Sequence, residues 1–210
     1  MEPNVINNSP EQHSLKVTDL RIKRGSKLLF DGTSFNANAG DVIWITGSNG
    51  SGKTSLLRCL AGLLKQDSGT IIYSGNATAI AYLGHQDSHK NDLTVLENLE
   101  FWGSIYQTPV DLEKTMQRVD IWRLRDLKAK NLSAGQSRRV ALARLLLQDA
   151  NIWFLDELAA PLDEAGRDLI TDLTSAHIAN GGVAFIATHT IPFKIGNNAQ
   201  VMDLGRHIHG

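Results

Sequence analysis

Gly47-Ser48-Asn49-Gly50-Ser51-Gly52-Lys53-Thr54 fits Gly-x-x-x-x-Gly-Lys-[Ser/Thr], the loop that cradles phosphate. Its flanks decide the fold. Before it, Asp41-Val-Ile-Trp-Ile-Thr46 is an apolar, β-branched segment of strand length. After it, Ser55 to Leu64 sets leucines at helical spacing. Strand, loop and helix in that order predict an α/β chain built on a mostly parallel sheet.

Each residue type in the loop has a task. Glycines 47, 50 and 52 allow backbone conformations closed to residues with a Cβ and let phosphate oxygens approach. The helix that follows presents unpaired N–H groups and the positive end of its dipole. Lys53 is expected to reach the β- and γ-phosphates of ATP, and the Thr54 hydroxyl to ligate Mg²⁺.

Composition narrows the rest. The 210 residues include 42% hydrophobic and 20% charged side chains, as in an ordinary globular protein. One α/β domain spanning 1–210 is expected, with a helical subdomain over about 87–148 inserted in the core. The formal net charge of −1 gives no basic field for nucleic acid. The lone cysteine, Cys59, lies in the apolar helix after the loop and reads as a buried structural thiol. Residues 1–13 are polar and do not read as a signal peptide. No run of about eighteen apolar residues reads as a membrane span, so membrane contact is expected only through a partner.

Ahead of the loop, Leu15–Ile22 and Leu28–Phe35 read as strands joined by the turn at Arg24-Gly25-Ser26-Lys27. Short strands at this spacing predict a small antiparallel sheet before the parallel core. Gly69–Gly75 and Ala77–Leu83 add two further strands. From Asn91 the pattern turns helical. Thr94 and Glu97 have capping-box spacing and open a helix to Tyr106. Thr108-Pro109 reads as the cap and first turn of a second helix, and Ile121–Leu127 as a third. Ser133 and Gln136 open another, running to about Gln148. Asn151–Leu155 is an apolar strand, Asp163 caps a long helix that stops at Gly181-Gly182, and Val183–Thr188 and Gln200–Leu204 are the last strands.

Asp156 and Glu157 end an apolar strand. Two acids there are unfavourable unless a cation or a proton-transfer task uses them. Asp156 is therefore read as the Mg²⁺-side carboxylate and Glu157 as the group that polarises an attacking water; helix capping is the plain alternative. His189 follows the Val183–Thr188 strand and can contact a γ-phosphate, or simply decorate a strand end. Gln86 follows another strand and can reach both metal and water, or be a polar loop residue. Leu132-Ser133-Ala134-Gly135-Gln136 is a second glycine-containing helix start able to bind phosphate. One ATP already has its loop, so this second start points to the nucleotide of another subunit.

Leu-Ser-Ala-Gly-Gln, with the phosphate loop before it and strand-Asp-Glu after it, resembles the nucleotide-binding subunit of ABC transporters over almost the whole chain. That resemblance implies a head-to-tail homodimer in which Ser133, Gly135 and Gln136 of one chain close over ATP held by Gly47–Thr54 of the other. It places Gln86 at the glutamine loop, Leu162-Asp163 at the joining loop and His189 at the switch histidine. It also implies integral-membrane permease partners, no nucleic acid, and a peripheral place on the cytoplasmic face of the bacterial inner membrane. Tyr82-Leu-Gly-His-Gln86, Leu93–Leu99 and Leu132–Arg144 are most similar to the ATP-binding subunits of haem exporters in cytochrome c maturation. Two positions depart from the family pattern. Leu158 stands where Pro is usual, and Arg24 where an aromatic side chain stacks on adenine; its guanidinium can stack instead.

Other readings fit less well. The short helical insert leaves no room for the coiled coil of DNA-repair ATPases, and translation ATPases usually carry two cassettes. A non-hydrolysing ATP switch would not need Lys53, Asp156, Glu157 and His189 together. Lipid, lipoprotein or amino-acid transport remains the alternative cargo class. His207 and His209 read as a solvated tail.

Overall fold

The computed structural model describes residues 14–74, 79–85, 88–107, 109, 111–157, 163–189, 195 and 199–205. Gln86, Leu158, Leu162, His207 and His209 lie outside them, as does Thr108.

The sheet next to the loop is parallel. β3 (Val42–Thr46), β5 (Ile80–Leu83), β6 (Ile152–Asp156), β7 (Val183–Ala187) and β8 (Ala199–Asp203) run in the order β5-β6-β7-β3-β8. The three central strands are apolar along their length, as strands covered on both faces must be. Side chains alternate between the two faces. Trp44, Trp153, Leu155, Ala184 and Ile186 join one core; Ile43, Ile45, Phe154, Phe185 and Ala187 join the other.

Different layers fill these two cores. On one face lie α2 (Val95–Tyr106), α3 (Leu112–Arg118), α4 (Ala134–Leu147) and α5 (Glu164–Ala179). On the other face lies α1 (Lys53–Leu60), with an antiparallel sheet in the order β2-β1-β4. Its strands are β1 (Ser14–Arg24), β2 (Lys27–Ala37) and β4 (Ser68–Ser74). The helix of the phosphate loop and the helix begun by Ser133 therefore pack on opposite faces of the parallel sheet.

Helix starts follow local sequence closely. The Thr94 hydroxyl accepts from Glu97 N–H at 3.1 Å while Glu97 Oε2 accepts from Thr94 N–H at 2.7 Å. Those bonds, the backbone one first, hold the Glu97 carboxyl below its ordinary value. Asp163 caps α5 by accepting from Gly166 N–H at 2.8 Å. The second helix differs from expectation: its cap is Asp111, which accepts from Lys114 N–H at 3.1 Å. Pro109 precedes the helix; an aspartate free to bond its first turn outranks a proline that only fits it. The third expected helix is one 3₁₀ turn, Trp122–Leu124. The helix after the loop ends at Leu60, because Gly62 takes φ 72° and its N–H bonds Cys59 O at 3.0 Å. Leu63 and Leu64 fall outside that helix and are exposed.

Cys59 lies on the buried face of α1, within the core. Burial first, and then the nearby Asp67 charge, push its thiol from 9.0 to about 11. Below pH 9 the thiol is protonated whether the chain is folded or not. Between pH 9 and 11 the unfolded chain releases a proton that the folded chain keeps, so this contribution to stability is lost as pH rises through that window. Alkylation of Cys59 at pH 8 is expected to be at least about a hundredfold slower in the native protein than in denaturant, and denaturant midpoints should fall from pH 9 to 11. Comparable alkylation rates in the two states would contradict the burial of this thiol.

Candidate functional site

Four parallel strands bring their C-terminal ends to one edge: β3 leads into Gly47, β5 ends at Leu83, β6 ends at Asp156 and β7 leads to His189. In open α/β sheets that edge is where ligands bind. Hydrogen bonds lock the tips together. Glu157 N–H donates to Ala187 O at 3.1 Å, and Thr188 N–H donates to Ile45 O at 3.0 Å.

The start of α1 differs from every other described α-helix. Thr94, Asp111, Ser133 and Asp163 cap α2 to α5 with their own side chains. Gly52, at φ 106°, caps α1 with none, and its first turn holds no acid. The first-turn N–H groups are thus left for a ligand, and the dipole selects an anion. At that φ any side chain is strained, and a Cβ on Gly52 would stand 3.0 Å from the Phe30 ring, which would have to give way. Lys53 is buried, and its ammonium donates to Gly47 O at 2.8 Å and Ser48 O at 3.1 Å. Carbonyl oxygens alone poorly compensate a buried cation; phosphate oxygens complete the set.

A cavity of about 350 Å³ opens over this loop, lined by Arg24, Lys27, Leu29, Asn49, Thr54 and Glu157 among others. Arg24, selected from sequence, borders the same space as the phosphate loop. Lys27 and Leu29 were not selected; they reach the rim only through the tertiary placement of the β1–β2 turn, and no sequence signal marks them.

A second cavity of about 410 Å³ shares Thr54 and Glu157 with the first and adds Asp156, Tyr82, Arg58 and Arg144. Asp156 is buried; its Oδ2 accepts from the Tyr82 hydroxyl at 3.2 Å, and its Oδ1 has no protein partner. An orphaned buried carboxylate oxygen in a residue that lines the same cavity as Thr54 suits a hard divalent cation such as Mg²⁺, which takes oxygen ligands. Among the described residues no group of three His, Cys, Asp or Glu could hold a metal. A cation here therefore needs phosphate oxygens and water to fill its shell. Burial, and after it the Asp156 charge, push the Tyr82 phenol well above its ordinary value, so it stays a protonated donor.

Glu157 takes φ 52°, a conformation uncommon for a side-chain-bearing residue. Its Oε1 lies 3.1 Å from His189 Nε2. The two polar residues selected from separate strands are thus in direct contact. They can orient a water at the cavity and share its proton.

Ser133, Gly135 and Gln136 line neither cavity. They begin α4, where Gln136 N–H donates to Ser133 Oγ at 3.2 Å and Ser133 N–H to Gln136 Oε1 at 2.9 Å. This helix end is already capped in its own chain. The Ser133 hydroxyl is exposed and, while accepting, keeps its proton to donate.

Residues 30–160 match the model of the ABC transporter family. The chain belongs to that family. It is an ATP-binding transporter subunit and an ATPase. The cytochrome c biogenesis ATP-binding export protein CcmA of Rhodopseudomonas palustris (strain BisB5) is 42% identical over 193 residues, covering 89% of this chain and 95% of that protein. The CcmA of Ruegeria pomeroyi is 42% identical over 192 residues and 91% of each chain. Among solved structures, an ABC transporter ATP-binding protein from Pyrococcus furiosus superposes with TM-score 0.81 at 25% identity, over 92% of this chain and 98% of that one. CbiO1 of Clostridium perfringens, part of the transporter complex cbiONQ, gives 0.74 at 26% identity, over 91% and 85%. The α/β cassette expected from sequence is the fold observed.

Proposed function

We propose that this chain is the ATP-hydrolysing subunit of a transporter acting in cytochrome c biogenesis, with haem as the exported cargo. The observation that carries the catalytic part is the 3.1 Å contact of Glu157 with His189 beside an uncapped phosphate-binding helix. The cargo reading rests on relatives named as cytochrome c biogenesis export proteins, 42% identical over most of both chains.

In this reading Gly47, Ser48, Asn49, Gly50, Ser51 and Gly52 wrap the phosphates, Lys53 neutralises them and Arg24 stacks on the base. Thr54 and Asp156, with Gln86, hold Mg²⁺. When bound, that ion would supply charge neutralisation to the nucleotide's phosphates. Glu157 accepts a proton from water as its oxygen bonds the γ-phosphorus and the bond to the ADP oxygen breaks. His189 fixes the carboxylate through Oε1 and meets the γ-phosphate side. The chain acts as one cassette over 1–210, its helices from about 87 to 148 forming a subdomain that faces the permease.

Two copies face head to tail, since Ser133, Gly135 and Gln136 line no cavity at their own chain's nucleotide site. Among the described residues no helix is long and apolar enough to cross a membrane. Attachment runs through integral-membrane permease subunits, at the cytoplasmic face of the bacterial inner membrane.

Glu157→Gln is expected to slow phosphate release by about 10²-fold or more with nucleotide binding retained; undiminished turnover removes Glu157 from its role. On that background, Asn49→Cys and Ser133→Cys proteins, mixed, should form an inter-chain disulfide in Mg·ATP and not in ADP. Cross-linking indifferent to nucleotide argues against the head-to-tail pair. Co-purification decides the cargo: a haem-export permease supports it, and a lipid or amino-acid permease overturns it.

A further inference from the structure

Tyr82 lies on the strand beside the one that carries Asp156. In the parallel register it stands opposite Phe154, so its ring shares a face with the carboxylate two residues further on. Its hydroxyl donates to Asp156 Oδ2 at 3.2 Å, while Oδ1 stays buried without a protein partner. The ring lies against a residue with no side chain: a Cβ on Gly84 would stand 3.0 Å from Tyr82 Cε1. Gly84 is itself held, because its carbonyl accepts from Arg138 Nη1 at 2.8 Å. A second arm of that guanidinium, Nη2, reaches the Asp156 carbonyl at 3.4 Å. Arg138 comes from α4 and is 1% exposed. The side chain of Asp156 is thus fixed from β5 and its backbone from α4.

We propose that Tyr82 is a positioning residue for the divalent cation: by engaging Asp156 Oδ2 it turns the carboxylate so that Oδ1 is presented to an ion beside Thr54. The proposal rests on the reading of Asp156 as the Mg²⁺-side carboxylate. A phenol suits this task better than a lysine or arginine would. It donates one hydrogen bond without bringing a positive charge, so the carboxylate keeps its full charge for the cation. It also removes the freedom of the carboxylate to rotate, which the ion would otherwise have to order on binding. No sequence motif singles out this residue; it is two positions before Gly84 and four before Gln86.

The alternative is that Tyr82 only satisfies a buried acid. Removing the hydroxyl would then weaken nucleotide binding alike with and without the metal. The positioning role acts on the metal-dependent part alone. The test is titration of a fluorescent ATP analogue into the native protein, Tyr82→Phe and Asp156→Asn, each in Mg²⁺ and in EDTA. The native protein is expected to bind more tightly in Mg²⁺, and Asp156→Asn to lose most of that ratio. Tyr82→Phe should lower the ratio by about three- to tenfold, the net worth of an ordinary hydrogen bond, with affinity in EDTA unchanged.

A full ratio in Tyr82→Phe, or equal weakening in both buffers, overturns the proposal while leaving Asp156 in its role. A ratio untouched by Asp156→Asn overturns the reading on which the proposal depends. Should Tyr82→Phe not fold, ¹³C-labelled tyrosine in the native chain decides. There the Tyr82 ring-carbon resonance is expected to move when Mg²⁺ joins bound nucleotide and not when nucleotide is added in EDTA. A resonance indifferent to Mg²⁺ overturns the proposal.

Discussion

Two backbone hydrogen bonds at the ends of parallel strands hold together everything this molecule does. Glu157 N–H to Ala187 O ties β6 to β7, and Thr188 N–H to Ile45 O ties β7 to β3. Through them the phosphate loop, the paired acids and His189 share one edge, although Gly47 and His189 are 142 positions apart in the chain. Parallel pairing makes this unavoidable. Every strand in the stack ends on the same side, and each loop that leaves it adds a group to the same site. The apolar runs that look unremarkable on either face of the sheet are what keep those tips in register.

Around that edge the buried charges are treated unequally. Lys53 has only carbonyl partners, and Asp156 has one oxygen bonded and one bare. Both are groups left waiting for a ligand of opposite charge. Arg138 is equally buried but spans Gly84 O and Asp156 O, a task internal to the fold. Low dielectric makes an unmet charge expensive. A buried cation and a buried carboxylate, each short of a counter-charge at the same strand edge, therefore mark a binding site.

The two phosphate-competent helix starts divide in the same way. α1 leaves its first-turn donors open, whereas α4 closes its own with a reciprocal pair. They also lie on opposite faces of the parallel sheet. One chain therefore holds an open anion site and, elsewhere, an exposed serine hydroxyl at a capped end. That asymmetry supports the proposal that two copies form one working unit.

Much of the cassette was legible because its signals are local. The strand–loop–helix at Gly47–Thr54, the capping boxes at Thr94 and Ser133 and the cap at Asp163 each depend on residues within a few positions. Boundaries set by competition were not. Asp111 displaced Thr108-Pro109 as a helix start, Gly62 ended α1 before Leu63, and Ile121–Leu127 yielded only a 3₁₀ turn. The sequence by itself determined which residues can meet phosphate, metal and water, since that chemistry lies in residue type and local backbone. Only the tertiary structure decided that Glu157 touches His189, that Tyr82 and Arg138 frame Asp156, and that Lys27 and Leu29 border the cavity. Those contacts join segments remote in the chain, and their distances follow from strand register and sheet order, which no short stretch of sequence encodes.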